Sequence, residues 1–367
     1  MEDTPEEAAG GQTARTPRSL NCLLVAPTDP LTGGPRTGAL RRLLNPPAGV
    51  RYRLTTDRLK YPRRAASYEF NPTNVALGAA RFALEHLIPI DPKGAAIIHS
   101  FFWDVRKYDR RWVHESDQSF GQFMLGYNNI GGRVRRLANE GFSSYLNSKW
   151  CAGAVTWSEW AKRGFVEDGV DPSKLFVIPP PFETVDFRRQ HQGCNILYIG
   201  REFRRKGGDA VLRTFRSLRG GAGCRLTFVG PLGTPEARDI VRSDPRIRQS
   251  DSLAGAALRD DVWPATDIFV LPTRADAFAL AVVDAMRRGV PVVATKIPPI
   301  AEVVEDGVSG LLCEAGDEDG LRERMQRLVD DPTTREEMGR NAKRRAAALF
   351  SPEKVGRALR EVYRLGE

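Results

Sequence analysis

Short apolar runs alternate with amphipathic stretches through the second half of the chain, and this alternation limits the folds open to it. The runs predicted as strands are NILYIG (195–200), RLTFVG (225–230), DIFVLPT (267–273), PVVAT (291–295) and GLLCE (310–314). Helices are predicted near 207–218, 234–243, 278–288, 317–331 and 333–348. Continuous apolar strands separated by amphipathic helices are typical of a parallel α/β sheet covered on both faces, with right-handed crossovers.

The first half shows the same alternation less regularly. Its predicted strands are LNCLLVAP (20–27), AAIIHSFF (95–102), RRWVHES (110–116), GAVTWS (153–158) and LFVIPP (175–180). Helices are predicted near 74–88, 133–148 and 158–168. The proline-rich connection VIPPPFETVDFRRQHQG follows, and because proline fixes φ and removes a backbone donor, we expect an extended linker and a domain boundary near 188.

A length of 367 residues fits two domains. We expect a disordered tail over 1–19, a first doubly wound α/β domain over 20–187 and a second over 188–350. Two such domains in series predict a cleft between them that faces the carboxyl ends of the strands, where these folds bind ligands.

Charge is distributed unevenly along the chain. Lys and Arg number 55 against 46 Asp and Glu, and most of the +9 net charge lies between residues 21 and 190, most densely at 51–64. Such a patch favours phosphate, nucleic acid or an acidic membrane face, although a solvated basic loop has the same composition.

The five cysteines form no CxxC pair and the N-terminus has no apolar signal region, so we expect the protein to be in the cytoplasm.

The segment GREFRRKGG (200–208) directly follows a predicted strand. Its glycines permit a tight turn, and Arg201 and Lys206 should lie at the carboxyl end of that strand, facing the cleft. Two fixed cations there suit a diphosphate, which arginine can grip in bidentate fashion. An ordinary basic loop between a strand and a helix is the alternative.

A second segment, PTRADAFALAVVDAMRRGVPVVAT (272–295), places Asp276 and Asp284 eight residues apart across a helix start. In a helix this spacing is about 12 Å, roughly the distance between the two sugars of a sugar nucleotide. The amides of residues 277–280 would lie between the acids as a phosphate cradle. A helix cap at Asp276 and an unrelated surface acid at Asp284 are the alternative.

Together these motifs resemble the retaining glycosyltransferases of the family 4 type, the glycosyl transferases group 1. The resemblance covers about residues 150–365 and includes GREFRRKGG, LTFVGP, DIFVLPTRADAFALAVVDAMRRGVPVVAT and EDGVSGLLCEAGD in order. It implies an α/β GT-B fold, in which two Rossmann-like doubly wound domains face each other across a cleft. It also implies that the terminal helix, over 351–367, crosses back to the first domain.

The activity implied by the resemblance is transfer of a sugar from a nucleotide-diphosphate sugar to an acceptor hydroxyl, with retention of configuration. The enzyme would be of the hexosyltransferase type, would need no metal ion or resident cofactor, and would take a sugar, lipid-linked or small-molecule acceptor. Nucleic acid is not expected as a partner. The 51–64 stretch, with Arg106, Lys107, Arg110 and Arg111, could hold the protein against an anionic membrane.

The resemblance also assigns residues. Arg201 and Lys206 would bind the donor diphosphate as catalytic groups, Asp276 would contact the transferred sugar, and Asp284 would bind the ribose. The remaining donor-binding residues would be Gly34, Gly200, Phe278, Ala279 and Leu280. His114 corresponds to a histidine near the acceptor in many members, with a structural histidine as the equal alternative. His99 is expected to be structural.

The sequence departs from the family pattern at several positions. Asp276 and Asp284 stand where glutamate is usual, so each acid is one methylene shorter. Ala277 and Ala279 replace glycines, and Pro298 and Pro299 replace a Gly-Gly pair, which removes two backbone donors. These changes keep two alternatives open: a non-catalytic nucleotide-sugar-binding relative and a nucleotide-sugar epimerase of the GT-B type.

Overall fold

A computed structural model describes residues 19–27, 36–56, 90–102, 106, 108–128, 132–186, 193–219 and 223–364. Three of the sequence expectations lie outside these residues: the disordered tail up to residue 18, the helix near 74–88 and the role of Gly34. Lys107 and most of the basic stretch, from residue 57 on, also lie outside them.

The first half forms a six-stranded parallel sheet with the strand order β2-β1-β3-β4-β5-β6. Its strands are β1 Leu20–Ala26, β2 Val50–Thr56, β3 Ile97–Phe101, β4 Trp112–Ser116, β5 Cys151–Thr156 and β6 Leu175–Val177. Strand β2 was not predicted. It is an edge strand in which Arg51 and Arg53 are exposed, so the start of the basic stretch belongs to the sheet and not to a loop.

The second half forms another six-stranded parallel sheet, in the order β12-β11-β10-β7-β8-β9. Its strands are β7 Cys194–Ile199, β8 Cys224–Val229, β9 Ile247–Ser250, β10 Ile268–Leu271, β11 Val292–Thr295 and β12 Gly310–Cys313. All four residues of β10 are buried, as expected for a central parallel strand covered on both faces. Strand β9, at the edge, was not predicted.

Helices cover the sheets. They are α1 Thr37–Leu44, α2 Phe120–Asn128, α3 Gly132–Leu146, α4 Glu159–Glu167, α5 Gly208–Ser217, α6 Pro235–Ser243, α7 Leu280–Met286, α8 Pro298–Val303, α9 Glu318–Asp330, α10 Pro332–Phe350 and α11 Pro352–Arg364. Several begin with ordinary caps. The Ser158 side chain accepts from the amide of Ala161 at the start of α4, and Thr234 does the same for Ala237 in α6.

The last helix, α11, packs on the first sheet although it follows the helices of the second. The hydroxyl oxygen of Tyr363 lies 2.6 Å from Nδ1 of His99 and 2.8 Å from the hydroxyl oxygen of Tyr52. The Arg111 guanidinium donates to the Tyr363 carbonyl at 2.9 Å. His99 is therefore a fully buried structural residue, as expected.

The strand orders determine where a ligand can bind. In the second sheet the chain runs outward from β7 through β8 to β9 and then returns to β10 on the other side of β7. The loops that follow the adjacent strands β7 and β10 therefore lead away in opposite directions. Open α/β sheets bind their ligands in the crevice between two such loops. These are the loops that contain Lys206 and Asp276.

Candidate active site

The structure brings together the two loops that the sequence singled out. Nζ of Lys206 lies 2.5 Å from Oδ2 of Asp276, and the two side chains are 19% and 9% exposed. A cation and a carboxylate, 70 residues apart in the chain, thus meet at the carboxyl ends of β7 and β10.

Further contacts fix these loops against each other. The amide of Arg274 donates to the Arg205 carbonyl at 2.7 Å, and the Arg205 guanidinium donates to the Ala275 carbonyl at 2.5 Å. Arg205 is also paired with Glu202, three residues earlier. Arg205 therefore holds the loops in place, and the other cations of GREFRRKGG are Arg201, Arg204 and Lys206. Arg201 is exposed, directly after β7.

Two glycines allow this close approach. Gly207 caps α5 with a φ of 75°, and a Cβ there would lie 2.2 Å from the Pro272 carbonyl oxygen. Gly200 would place a Cβ 2.2 Å from the Tyr198 hydroxyl and 2.8 Å from Cβ of Lys206. No other residue fits either position without moving the Lys206 loop.

The segment after Asp276 differs from the expected helix start. Helix α7 begins at Leu280, two residues later than predicted, and it has seven residues. Phe278 and Ala279 precede it and are buried, and the Leu280 amide donates to the Phe278 carbonyl at 2.7 Å, which closes a tight turn at Ala279. Of the amides predicted to bind phosphate, that of Leu280 is thus already used, whereas none of the described hydrogen bonds uses the amides of Asp276, Phe278 or Ala279 as donors.

Asp284 lies in α7 among three guanidinium groups. Its Oδ1 accepts from Arg41 at 3.1 Å, from Arg287 at 2.6 Å and from Arg288 at 2.8 Å. Burial alone would raise the pKa of this carboxyl, but the three cations outweigh burial and hold its pKa below the ordinary value. Among the described residues these hydrogen bonds all fall on Oδ1, so Oδ2 remains able to accept from a ligand.

Arg41 comes from α1 of the first half, so Asp284 also joins the two halves. The Arg41 guanidinium lies over the ring of Phe182, 3.5 Å from its centroid. No sequence motif points to Arg41, because its partner is 243 residues away.

The first half contributes a carboxylate that the sequence analysis did not identify. Asp117 follows β4 directly and is partly exposed. Its carboxyl interacts electrostatically with Arg36 of its own half and with Asp276 and Lys206 of the other. Burial, with a further contribution from Asp276, raises the pKa of Asp117 to about 7, against the opposing effects of Arg36 and Lys206.

His114 does not lie in this site, although the sequence left an acceptor-side role open. Its side chain is fully buried in β4, and its ring packs edge-on against Phe142 at 5.4 Å and Phe165 at 6.2 Å. Because side chains alternate along a strand, His114 faces the helices behind the sheet while Glu115 faces the other side. The structure thus favours the structural alternative for this histidine.

Pro298 and Pro299 occupy the first turn of α8, with Ile297 as its cap. The first amides of a helix have no intrahelical acceptor, so proline costs no hydrogen bond there. Glu302, in the same helix, accepts from the amides of Glu159 and Trp160 at 2.7 Å each. Helix α8 therefore caps α4 of the first half.

Two of the arginines considered for membrane contact are engaged within the protein. Arg110 donates to the Pro92 and Ala95 carbonyls, and Arg111 donates to Tyr363. Within the described ranges no helix is long and apolar enough to span a bilayer. In the same ranges, no cluster of three or more His, Cys, Asp or Glu side chains is arranged to hold a metal ion.

The two sheets and their strand orders define the fold class of this protein. The chain has a GT-B fold of two parallel α/β sheets, and it is similar over 94% of its length to two solved structures. One is sucrose-phosphate synthase from Thermosynechococcus elongatus (TM-score 0.67, 19% identity, 98% of that chain covered). The other is Anabaena HepE in complex with UDP-glucose (TM-score 0.66, 14% identity, 99% covered). At these identities the likeness concerns the fold alone.

The sequence comparison is more specific for the second half. Residues 193–331 match the family model of the glycosyl transferases group 1. A D-inositol 3-phosphate glycosyltransferase of Acidothermus cellulolyticus is 28% identical over 212 residues, which cover 51% of this chain and 47% of the relative. The chain thus spans about half the length of the curated relatives it matches.

Proposed function

We propose that this protein is a glycosyltransferase that moves a sugar from a nucleotide-diphosphate sugar to an acceptor hydroxyl. The observation that carries this proposal is the Lys206–Asp276 pair at the carboxyl ends of β7 and β10, inside the segment that matches the group 1 family. At that position the cation can bind the diphosphate and the carboxylate can bind the sugar, the two parts of the donor that separate during transfer.

Each residue has a chemical role in this mechanism. Lys206, Arg201 and the amides of Phe278 and Ala279 bind the diphosphate and stabilise its charge as the anomeric C–O bond breaks, typically the largest electrostatic contribution. Asp276 accepts hydrogen bonds from the transferred sugar. Oδ2 of Asp284 accepts from the ribose.

On the acceptor side, Asp117 accepts a hydrogen bond from the attacking hydroxyl. An oxygen of the departing phosphate takes the proton of that hydroxyl, so no protein base is required. Attack on the face that the leaving group vacates retains the configuration, as in the family that the sequence resembles. Charge neutralisation by Lys206 and Arg201 also makes a metal ion unnecessary.

We further propose that the donor is a UDP-sugar and that the protein acts in the cytoplasm. A structural neighbour, HepE, is described in complex with UDP-glucose, which supports the donor. The described cysteines are all free and buried, as suits a reducing compartment. The acceptor is a sugar, a lipid-linked or a small molecule, and the engagement of Arg110 and Arg111 within the protein limits membrane contact to other basic residues.

A thermal-shift screen with UDP-, GDP-, ADP- and TDP-sugars tests donor recognition. We expect UDP-sugars to raise the unfolding midpoint and Lys206→Ala to abolish the shift, while a substitution of an exposed lysine, Lys93→Ala, leaves the shift unchanged. A donor that binds but yields no product with any acceptor or water would favour the non-catalytic alternative. No shift with any of them would contradict the proposed function.

A further inference from the structure

A charged cluster is buried in the first half, behind the Asp117 side of the site. Glu115 has no solvent exposure, and its carboxylate accepts from Nε of Arg42 at 3.0 Å and from Nε1 of Trp157 at 2.6 Å. Nε2 of His99 lies 2.9 Å from the same carboxylate. Removing such charges from water costs several kcal/mol per ion, so a buried ion pair is weak evidence for a gain in stability. We therefore ask which neighbouring side chain the cluster orients.

The cluster fixes the orientation of Trp157. Its indole is 3% exposed and its only N–H donates to Glu115. Phe102 meets the ring edge-on, with the centroids 5.9 Å apart. Gly38 of α1 lies so close that a Cβ there would be 2.4 Å from the indole ring. Glu115, Phe102 and Gly38 therefore restrict the movement of the ring.

Trp157 is also a point of contact between the halves. Its ring meets that of Phe278 edge-on, with the centroids 5.6 Å apart. Phe278 begins the Phe278–Leu280 segment, which contains the amides proposed above to bind phosphate. The contact between Glu302 and the first amides of α4 lies only two residues beyond Trp157 in the chain. The donor segment and the first sheet thus meet at a ring that Glu115 orients.

We propose that Trp157 is a positioning residue, oriented by Glu115, that holds the Phe278–Leu280 segment in register with the acceptor side of the cleft. This role presupposes the sugar-transfer activity proposed above. Trp157 acts through Phe278 and touches no reacting atom. Because the donor contacts proposed above all come from the second half, loss of Trp157 should impair transfer more than donor binding.

The variants Trp157→Ala and Trp157→Phe test this role, with Trp150→Ala as the matched control, since Trp150 is 45% exposed. We expect Trp157→Ala to lower kcat by about tenfold or more, since misplacement by 1 Å can have a large effect on the rate. The donor dissociation constant, measured by calorimetry, should change less than about threefold, since the phosphate contacts remain. The ratio of donor hydrolysis to transfer should rise, and Trp157→Phe should recover part of the kcat.

Outcomes that overturn the role are distinct from those that overturn the activity. A normal kcat and hydrolysis ratio in both variants, or equal losses of donor affinity and kcat, would exclude positioning by Trp157 while the wild type remains active. If Trp157→Ala does not fold, Trp157→Phe and Phe278→Leu are judged by the same ratio. A wild type that binds no nucleotide sugar would overturn both the activity and the role.

Discussion

Oδ1 of Asp284, in α7, lies 3.1 Å from Nη2 of Arg41, in α1, and so joins the two halves of the molecule at the proposed ribose site. Arg287 and Arg288 share the same oxygen. Three cations around one carboxylate mean that this acid has both a structural and a proposed ligand role, and substitutions can separate the two.

The substitution Asp284→Asn should lower the free energy of unfolding by about 2 kcal/mol, because it leaves partly buried cations without their counter-charge. Urea unfolding measures this change. Asp239→Asn, which removes an exposed partner of Arg242, is the control and should have almost no effect. Adding Arg41→Met to Asp284→Asn should restore part of the loss, and a further loss in the double variant would contradict the electrostatic explanation.

The substitution Gly207→Ala should be more harmful than an equivalent change at Gly307. Both glycines have φ near 75°, at 75° and 78°, but a Cβ at 207 would meet the Pro272 carbonyl while a Cβ at 307 has open space. We expect Gly307→Ala to cost about 1 kcal/mol from backbone strain alone. Gly207→Ala should cost clearly more in the same unfolding assay and should weaken donor binding; equal costs would show that the loop gives way.

The pH dependence of transfer should report Asp117. An ionised carboxylate accepts a stronger hydrogen bond from the acceptor hydroxyl than a protonated carboxyl does, and the pKa of Asp117 is about 7, so kcat/KM should rise with pH through this value. Asp117→Asn should lower the rate and remove this limb of the profile. A profile that is unchanged in Asp117→Asn would assign the titration to another group.

Asp117 also makes the stability of the protein depend on pH. The dependence has the opposite sign to that caused by a salt-bridged acid. Because its folded pKa is raised, the native state binds more protons than the unfolded state between pH 4 and pH 7. Its contribution to stability is therefore present below about pH 4 and is lost as the pH rises through 7. Relative to the wild type, Asp117→Asn should become more stable as the pH is raised from 4 to 8, which urea titrations at both values would test.

The sequence was sufficient to predict the parts of the fold that depend on local pattern. Strand β10 was predicted because its buried residues form an unbroken apolar run between Asp267 and Pro272. Strand β2 was missed because it lies at a sheet edge, where Arg51 and Arg53 face solvent. The start of α7 was predicted two residues too early, since Phe278 is apolar but packs against Trp157 before the helix begins.

The site was predictable only where its residues lie in contiguous motifs. Lys206 and Asp276 belong to such motifs, and parallel strand order brings them together. Asp117, Arg41 and Glu115 have no local signal, because each acquires its partners from distant strands or from the other half. Two interpretations of His114 stayed open for the same reason: the sequence does not tell which face of β4 a residue occupies.

The most direct test of the central claim is the rate of sugar transfer by Lys206→Ala in a purified assay with the donor found by the thermal-shift screen. If Lys206 neutralises the departing diphosphate, kcat should fall by about 100-fold or more, as for other single groups that stabilise developing charge, while Lys93→Ala remains at the wild-type rate. Transfer by Lys206→Ala at the wild-type rate would contradict the account.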